Sequence, residues 1–168
     1  MDVAIGPARV REAEQILKLQ YLCYQSEAAL HDDYTLPPLT QTLADLLAAY
    51  DTHHILVARL GEAGDEGAEV VGSIRGCMAD GGTCHVGRLM VHPRVQRRGL
   101  GVRLMRALEG HFVAADRYEL FTGPRSEGNV RLYHRLGYTL CQKDGTVPDA
   151  GLVYLEKQRA AAPSEEAS

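Results

Sequence analysis

The sequence lacks any apolar run approaching the roughly 20 residues that a membrane-spanning helix needs. Its first residues, Met1-Asp2-Val3-Ala4-Ile5, lack the basic region and apolar core of a secretory signal. These absences set the expectation of a cytoplasmic protein with no membrane partner. A basic excess is lacking too: 18 Lys and Arg stand against 22 Asp and Glu, for a formal net charge of −4. Nucleic acid is therefore not an expected partner, since proteins that bind it usually carry a clear positive surplus. The four cysteines, Cys23, Cys77, Cys84 and Cys141, form no C-x-x-C pair, and Cys84-His85 has no second ligand pair at zinc spacing. No metal site is expected, and the thiols are expected to be reduced and mostly buried. No G-x-x-x-x-G-K-[ST] phosphate loop occurs, and there is no internal repeat.

What is present fits one globular domain: 168 residues, 45% hydrophobic and 24% charged. The domain is expected to span 1–159, followed by a small, acidic, flexible tail over 160–168. A first strand is predicted from Val3, interrupted near Gly6-Pro7. A helix follows from Val10, with Ile16, Leu17, Tyr21, Tyr24 and Ala28 at three- and four-residue spacing. Leu36-Pro37-Pro38 predicts an extended turn, and Thr40 a cap for a second helix running to Tyr50. Branched residues over 54–60, 69–76 and 84–91 predict hairpin strands, the first two joined by a Gly-rich acidic loop. A helix over 100–114, a strand over 118–122, a short helix ending at Gly137 and two last strands complete the chain. The order is β-α-α-β-β-β-α-β-α-β-β, a mixed α/β pattern with antiparallel hairpins and one β-α-β crossover.

The segment most informative about chemistry is Val91-His92-Pro93-Arg94-Val95-Gln96-Arg97-Arg98-Gly99-Leu100-Gly101-Val102. A strand ends, and a loop with two glycines opens directly into a helix. The first turn of a helix exposes unpaired N–H groups and the positive end of its dipole, which suits a pyrophosphate. Gly99 and Gly101 remove side chains that would hold a phosphate off the backbone. Gln96, Arg97 and Arg98 add donors and charge. The loop is not a dinucleotide fingerprint, because Leu104 stands where its third glycine belongs.

Gln96-Arg97-Arg98-Gly99-Leu100-Gly101 resembles the Q/R-x-x-G-x-G/A acyl-CoA signature of the GNAT superfamily of N-acetyltransferases. Gly87 to Pro93 resembles that family's fourth strand. Asn129-Val130-Arg131-Leu132-Tyr133-His134-Arg135-Leu136-Gly137-Tyr138 resembles its N…LY…LGY pattern. The first 80 residues match only in the order of elements. The resemblance implies a mixed α/β (α+β) GNAT-like fold. Its central, mostly antiparallel sheet of about 6–7 strands would be splayed between strands 4 and 5. It implies acetyl-CoA as cosubstrate, with Leu89, Met90 and Val91 lining the gap between the splayed strands. Backbone N–H groups from Arg97 through Val102 would hold the pyrophosphate, and Asn129 would contact the cofactor arm. Homodimers are frequent in the family, an analogy only.

Family chemistry is direct attack of an amine on the thioester. Tyr133, four residues after Asn129 and on the same helical face, is the expected proton donor to the departing thiolate. His85 is the candidate base; many relatives carry Glu there, so this sequence departs from the pattern. A backbone N–H near Val91 is the simplest oxyanion donor. The acceptor is expected over Tyr24 to Thr40, where Glu27, Asp32 and Asp33 could attract a cationic amine and Tyr34 could flank it. The acceptor itself, a small-molecule or peptide amine, is not named by the sequence. A catalytically inactive acyl-CoA sensor, or an interaction domain without CoA preference, stays open beside the enzyme.

Overall fold

A computed structural model describes residues 2–31, 35–61, 67–122, 127–141 and 153–159. Strands β1 (Val3–Pro7), β2 (His54–Leu60), β3 (Glu69–Ala79) and β4 (Thr83–Val91) pair antiparallel in sequence order. β4 then pairs in parallel with β5 (Arg117–Thr122). A parallel step needs a crossover, and α4 (Leu100–His111) supplies it. β7 (Val153–Gln158) lies next to β5 and β6 (Thr139–Leu140) next to β7, both antiparallel, so seven strands run in the order β1-β2-β3-β4-β5-β7-β6.

Helices cover both faces of this sheet. On one side α4 and α5 (Glu127–Arg135) bury Leu104, Met105, Leu108 and Tyr133 against Ile74, Cys84, Val86, Leu120 and Leu155. On the other, α1 (Ala13–His31) and α3 (Leu43–Thr52) bury Ile16, Leu19 and Leu46 against Val57, Val70 and Met90. The mixed sheet expected from the element order is therefore formed, with one parallel pair among antiparallel ones. Among the described residues no helix is long and apolar enough to cross a membrane.

Several boundaries move from their expected places for identifiable reasons. The first helix does not begin at Val10. Val10–Glu12 make a 3-10 turn, and the α-helix starts at Ala13. Glu12 is pulled inward there, because Arg59 on β2 grips its carboxylate with Nε at 2.6 Å and Nη2 at 2.7 Å. Burial pushes the Glu12 carboxyl up, but the Arg59 hydrogen bonds and the Arg9 amide outweigh it and hold it below its ordinary value. Leu36 is extended, as a residue before proline should be. Pro37 and Pro38, however, open a four-residue helix, α2 (Pro37–Thr40), since a ring-fixed φ suits positions where no N–H is needed. The next helix starts at Leu43 rather than near Thr40. Thr42 caps it: its side chain accepts from the Asp45 amide at 3.1 Å and its own amide donates to Asp45 Oδ2 at 3.1 Å. The final strand is described over Val153–Gln158. Residues 62–66 of the acidic hairpin loop and the 160–168 tail lie outside the described residues.

His54 at the start of β2 stacks on His111 at the end of α4, with ring centroids 3.4 Å apart and planes 5° off parallel. Burial, then the charge of His111, hold His54 below its ordinary pKa, and burial with Arg75 and Arg88 does the same to His53. Both groups favour the neutral form in the fold. Their contribution is full above the unfolded value near 6.5 and is lost as pH falls through the lower folded values. Urea unfolding should therefore show stability dropping between pH 7.5 and pH 5.5, with a shallower drop in His54→Gln and His53→Gln.

Candidate functional site

The site begins where two strands part. β4 and β5 pair at Thr83 with Arg117, Cys84 with Tyr118 and His85 with Glu119, and among the described residues no further pair joins them. From Val86 onward β4 runs on alone on that side, while β5 continues to pair with β7 as far as Thr122. A wedge opens between them. A bulge accompanies it: Arg75 of β3 faces Gly87, but Ser73 faces Met90, so Arg88 and Leu89 together oppose Ile74. Arg88 takes a left-handed φ of 53°. A bulge bends and twists the strand that carries it, here as β4 leaves β5.

The ladder also fixes where Val91 points. His92 N–H donates to Val71 O at 2.8 Å, beyond the Gly72–Val91 pair, so Val91 is a non-hydrogen-bonded position towards β3. Its N–H and C=O therefore face the wedge. The Val91 carbonyl accepts from Gln96 Nε2 at 3.1 Å and from the Cys23 thiol at 3.6 Å. Leu89 and Val91 lean towards the α4 layer, while Met90 is buried in the α1 layer, so its side chain is core.

After β4 the chain turns sharply. His92 Nδ1 accepts the Arg94 amide at 3.2 Å and caps the 3-10 turn Pro93–Val95. Arg97 has φ 65° and Gly99 φ 80°, with Arg98 between them not in the left-handed region. Alternating φ signs turn successive N–H groups inward to form an anion-binding concavity. Gly99 is the N-cap of α4 with no side-chain cap, so the N–H groups that follow, from Leu100 through Val102, are offered outward at the positive end of the helix. Gln96, Arg97, Arg98 and Gly99 are exposed. Gly101 also governs packing, since a Cβ there would come within 3.1 Å of Leu132, and its bareness lets α5 approach α4.

α5 carries Asn129, exposed in its early turns, and Tyr133, which is 7% exposed and packed in the α4 core. The helix is pinned from below. Tyr138 O–H donates to Glu109 of α4 at 2.8 Å, and Lys157 of β7 donates to the same carboxylate at 2.8 Å. His85 is half-buried on the opposite face of the sheet from Cys84 and Val86. Thus His85 and Tyr133 project from opposite sides of the sheet that contains the wedge.

Sequence reasoning missed several residues on the His85 face. Glu119, 3% exposed, is the β5 partner of His85 at the last pair before the strands part. Arg117 reaches it at 3.5 Å. Arg75 and Arg88 lie on the same face, because the bulge places Arg88 beside Gly87 rather than across from it. Burial, then Arg75, lower the Arg88 guanidinium to about 10, still well above neutral pH, and burial lowers that of Arg75. Strand alternation could have placed Glu119 and Arg75 on one face; nothing in the sequence signals the bulge. Glu27, Asp32, Asp33 and Tyr34 contribute no described side chain.

The model of the Acetyltransferase (GNAT) family matches residues 13–138. Solved structures share the fold. PaiA N-acetyltransferase from Thermoplasma acidophilum, in complex with coenzyme A, is 15% identical with a TM-score of 0.68, over 95% of this chain and 100% of that one. YncA from Salmonella typhimurium, with acetyl-CoA, is 21% identical with a TM-score of 0.68, over 97% and 98%. A GNAT-family acetyltransferase from Staphylococcus aureus Mu50 is 13% identical with a TM-score of 0.74, over 94% and 99%. Comparison with curated proteins finds no match.

Gly99→Ala tests the loop cleanly, because its Cβ would meet nothing within 4 Å while its φ of 80° stays unfavourable. The expected cost is about 1 kcal/mol of stability, read by denaturant unfolding. Calorimetry should show affinity for a diphosphate-bearing ligand falling more than tenfold, on the order of the loss of one charged hydrogen bond.

Proposed function

The chain belongs to the Acetyltransferase (GNAT) family, and from that premise we propose an N-acetyltransferase that moves the acetyl group of acetyl-CoA to a primary amine of a small molecule or peptide. The observation that carries this reading is the wedge beside β4, opening next to a left-handed, glycine-capped helix start. Amides from Arg97 through Val102 receive the diphosphate, Gln96 braces the Val91 carbonyl, and Arg97 and Arg98 supply charge. The pantetheine arm lies in the wedge along the backbone of Leu89, Met90 and Val91, with Asn129 beside it.

The amine attacks the thioester carbonyl. A C–N bond forms, and the oxyanion is met by the Val91 N–H, which faces the wedge. Collapse breaks the C–S bond, and Tyr133 gives its proton to the departing thiolate. His85 takes the proton that the amine must lose, directly or through water. Direct attack is favoured over an acyl-enzyme. The thiol that donates to the Val91 carbonyl, that of Cys23, is pushed up to about 11 by burial and stays protonated at neutral pH. Cys84 is 0% exposed, and burial pushes it to about 12.

Thiol release from acetyl-CoA over an amine panel, beside thermal shifts with acetyl-CoA, CoA, NAD and ATP, tests the proposal. Acetyl-CoA and CoA should raise the melting temperature selectively, by mass action on the native state. Tyr133→Phe should lower kcat about 100-fold, and His85→Ala by a similar order at pH 7, with acetyl-CoA affinity within a few-fold of the parent. Selective stabilisation by NAD or ATP sinks the reading. Acetyl-CoA binding with no thiol release from any amine leaves an acyl-CoA sensor in its place.

A further inference from the structure

Two arginines on the acceptor side of the sheet stand out from the other half-buried arginines by having no acidic partner among the described residues. Arg59 is gripped by Glu12 through both carboxylate oxygens, and Arg117 lies within 3.6 Å of Glu119 and Glu156. Arg75 and Arg88 are half-buried, yet no carboxylate among the described residues pairs with either. Among the described residues, the groups that act on them are neutral or cationic: Tyr24 from α1, Gln41 between α2 and α3, His53 at the end of α3, Cys77 on β3, and each other, while the Glu119 carboxylate on the same face is paired with Arg117. The hydrogen bond of Arg88 is long, Nη1 to Gln41 Oε1 at 3.4 Å, and that oxygen already accepts from Gln20 at 2.9 Å.

Taking a guanidinium out of water without a counter-ion is unfavourable, and here the unfavourable group is doubled. The fold also brings the pair together at the expense of local backbone comfort. The left-handed residue of the β4 bulge is Arg88 and not its neighbour Gly87, which would adopt that φ without strain. This arrangement sets Arg88 on the face of Arg75, opposite whose Cα sits Gly87. The same face carries His85. Three residues along β4 from Arg88 is Val91, a spacing of about 10 Å at strand rise. A long arginine side chain and a short amine substrate together span that distance.

We propose that Arg75 and Arg88 form an anion subsite in the amine pocket, so that the acceptor is an amine that also carries a carboxylate. The planar guanidinium fork matches a carboxylate in two parallel hydrogen bonds, and two forks on one face of the sheet favour an acid over a neutral or cationic amine. This inference rests on the acyltransfer reading above. It replaces the cationic acceptor that the acidic residues of the 27–33 stretch had suggested with an anionic one. The subsite orients the acceptor; the bond-making step is unchanged.

The experiment compares L-α-amino acids, their α-carboxamides and the matching 1-aminoalkylphosphonates in acetyl-CoA thiol release by the full chain. The amino acids should exceed their carboxamides in kcat/KM on the order of 10- to 100-fold, the range of a charge-assisted hydrogen bond. Arg75→Gln and Arg88→Gln should raise KM for the amino acids and erase that ratio, Arg88→Lys should retain part of it, and calorimetric acetyl-CoA affinity should hold. Thermal melts confirm that each variant is folded. Calorimetric binding of amino acid and carboxamide to the CoA-loaded chain reads the subsite without turnover. Equal use and equal binding of carboxamides overturn the proposal, as does a loss of acetyl-CoA affinity in Arg88→Gln, which would assign the pair to the cosubstrate. Preference for the phosphonates overturns the carboxylate assignment. Absence of thiol release with every amine defeats the acyltransfer reading instead, and the binding comparison then decides the subsite alone.

Discussion

Everything at the site depends on a parallel ladder that stops after His85 and Glu119. Had β4 and β5 stayed paired to their ends, the backbone groups of Val91 would be spent on a neighbouring strand. No gap would then reach from the loop before α4 to the face that carries His85. The stop is enforced from both sides. The bulge at Arg88 and Leu89 turns β4 away, while β5 is held by six consecutive pairs to β7. The two strands are thus committed to different partners, and the opening between them follows.

Polar chemistry is divided between the two faces. Towards α4 and α5 the site offers backbone amides at a helix start, with Arg97 and Arg98 exposed around them. Towards α1 and α3 it offers side chains: His85, the buried Glu119 and the arginines of the bulge. Acidic residues elsewhere hold elements together. Glu12 ties the start of the first helix to β2, Glu109 ties α4 to Tyr138 and Lys157, and Glu69 pairs with Arg94 beside the loop. Such pairs locate elements whose own helix and strand propensities leave their docking open.

Local signals carried much of this architecture, and their limits are physical. Gly99 and Gly101 after the strand ending at Val91 mark the helix start, because access of an anion to the backbone there calls for residues without a side chain. The apolar stripe Leu104, Met105, Leu108 likewise shows which face of α4 is core. The bulge was invisible, because Gly87-Arg88 invites the left-handed turn at the wrong residue. The helix at Pro37-Pro38 was also missed, since proline opens a helix as readily as it ends one. Arg75, Arg88 and Glu119 share a face through strand register, which is fixed by pairing between distant segments and not by the sequence near any of them.

The outer margins of the sheet bear on whether further strands can be added to it. β1, at one margin, ends its pairing with β2 at Pro7, a residue without an N–H to offer a further strand. β6, at the other, contributes two residues. Among the described residues neither margin presents a long row of open donors and acceptors, so strand-by-strand polymerisation finds little template.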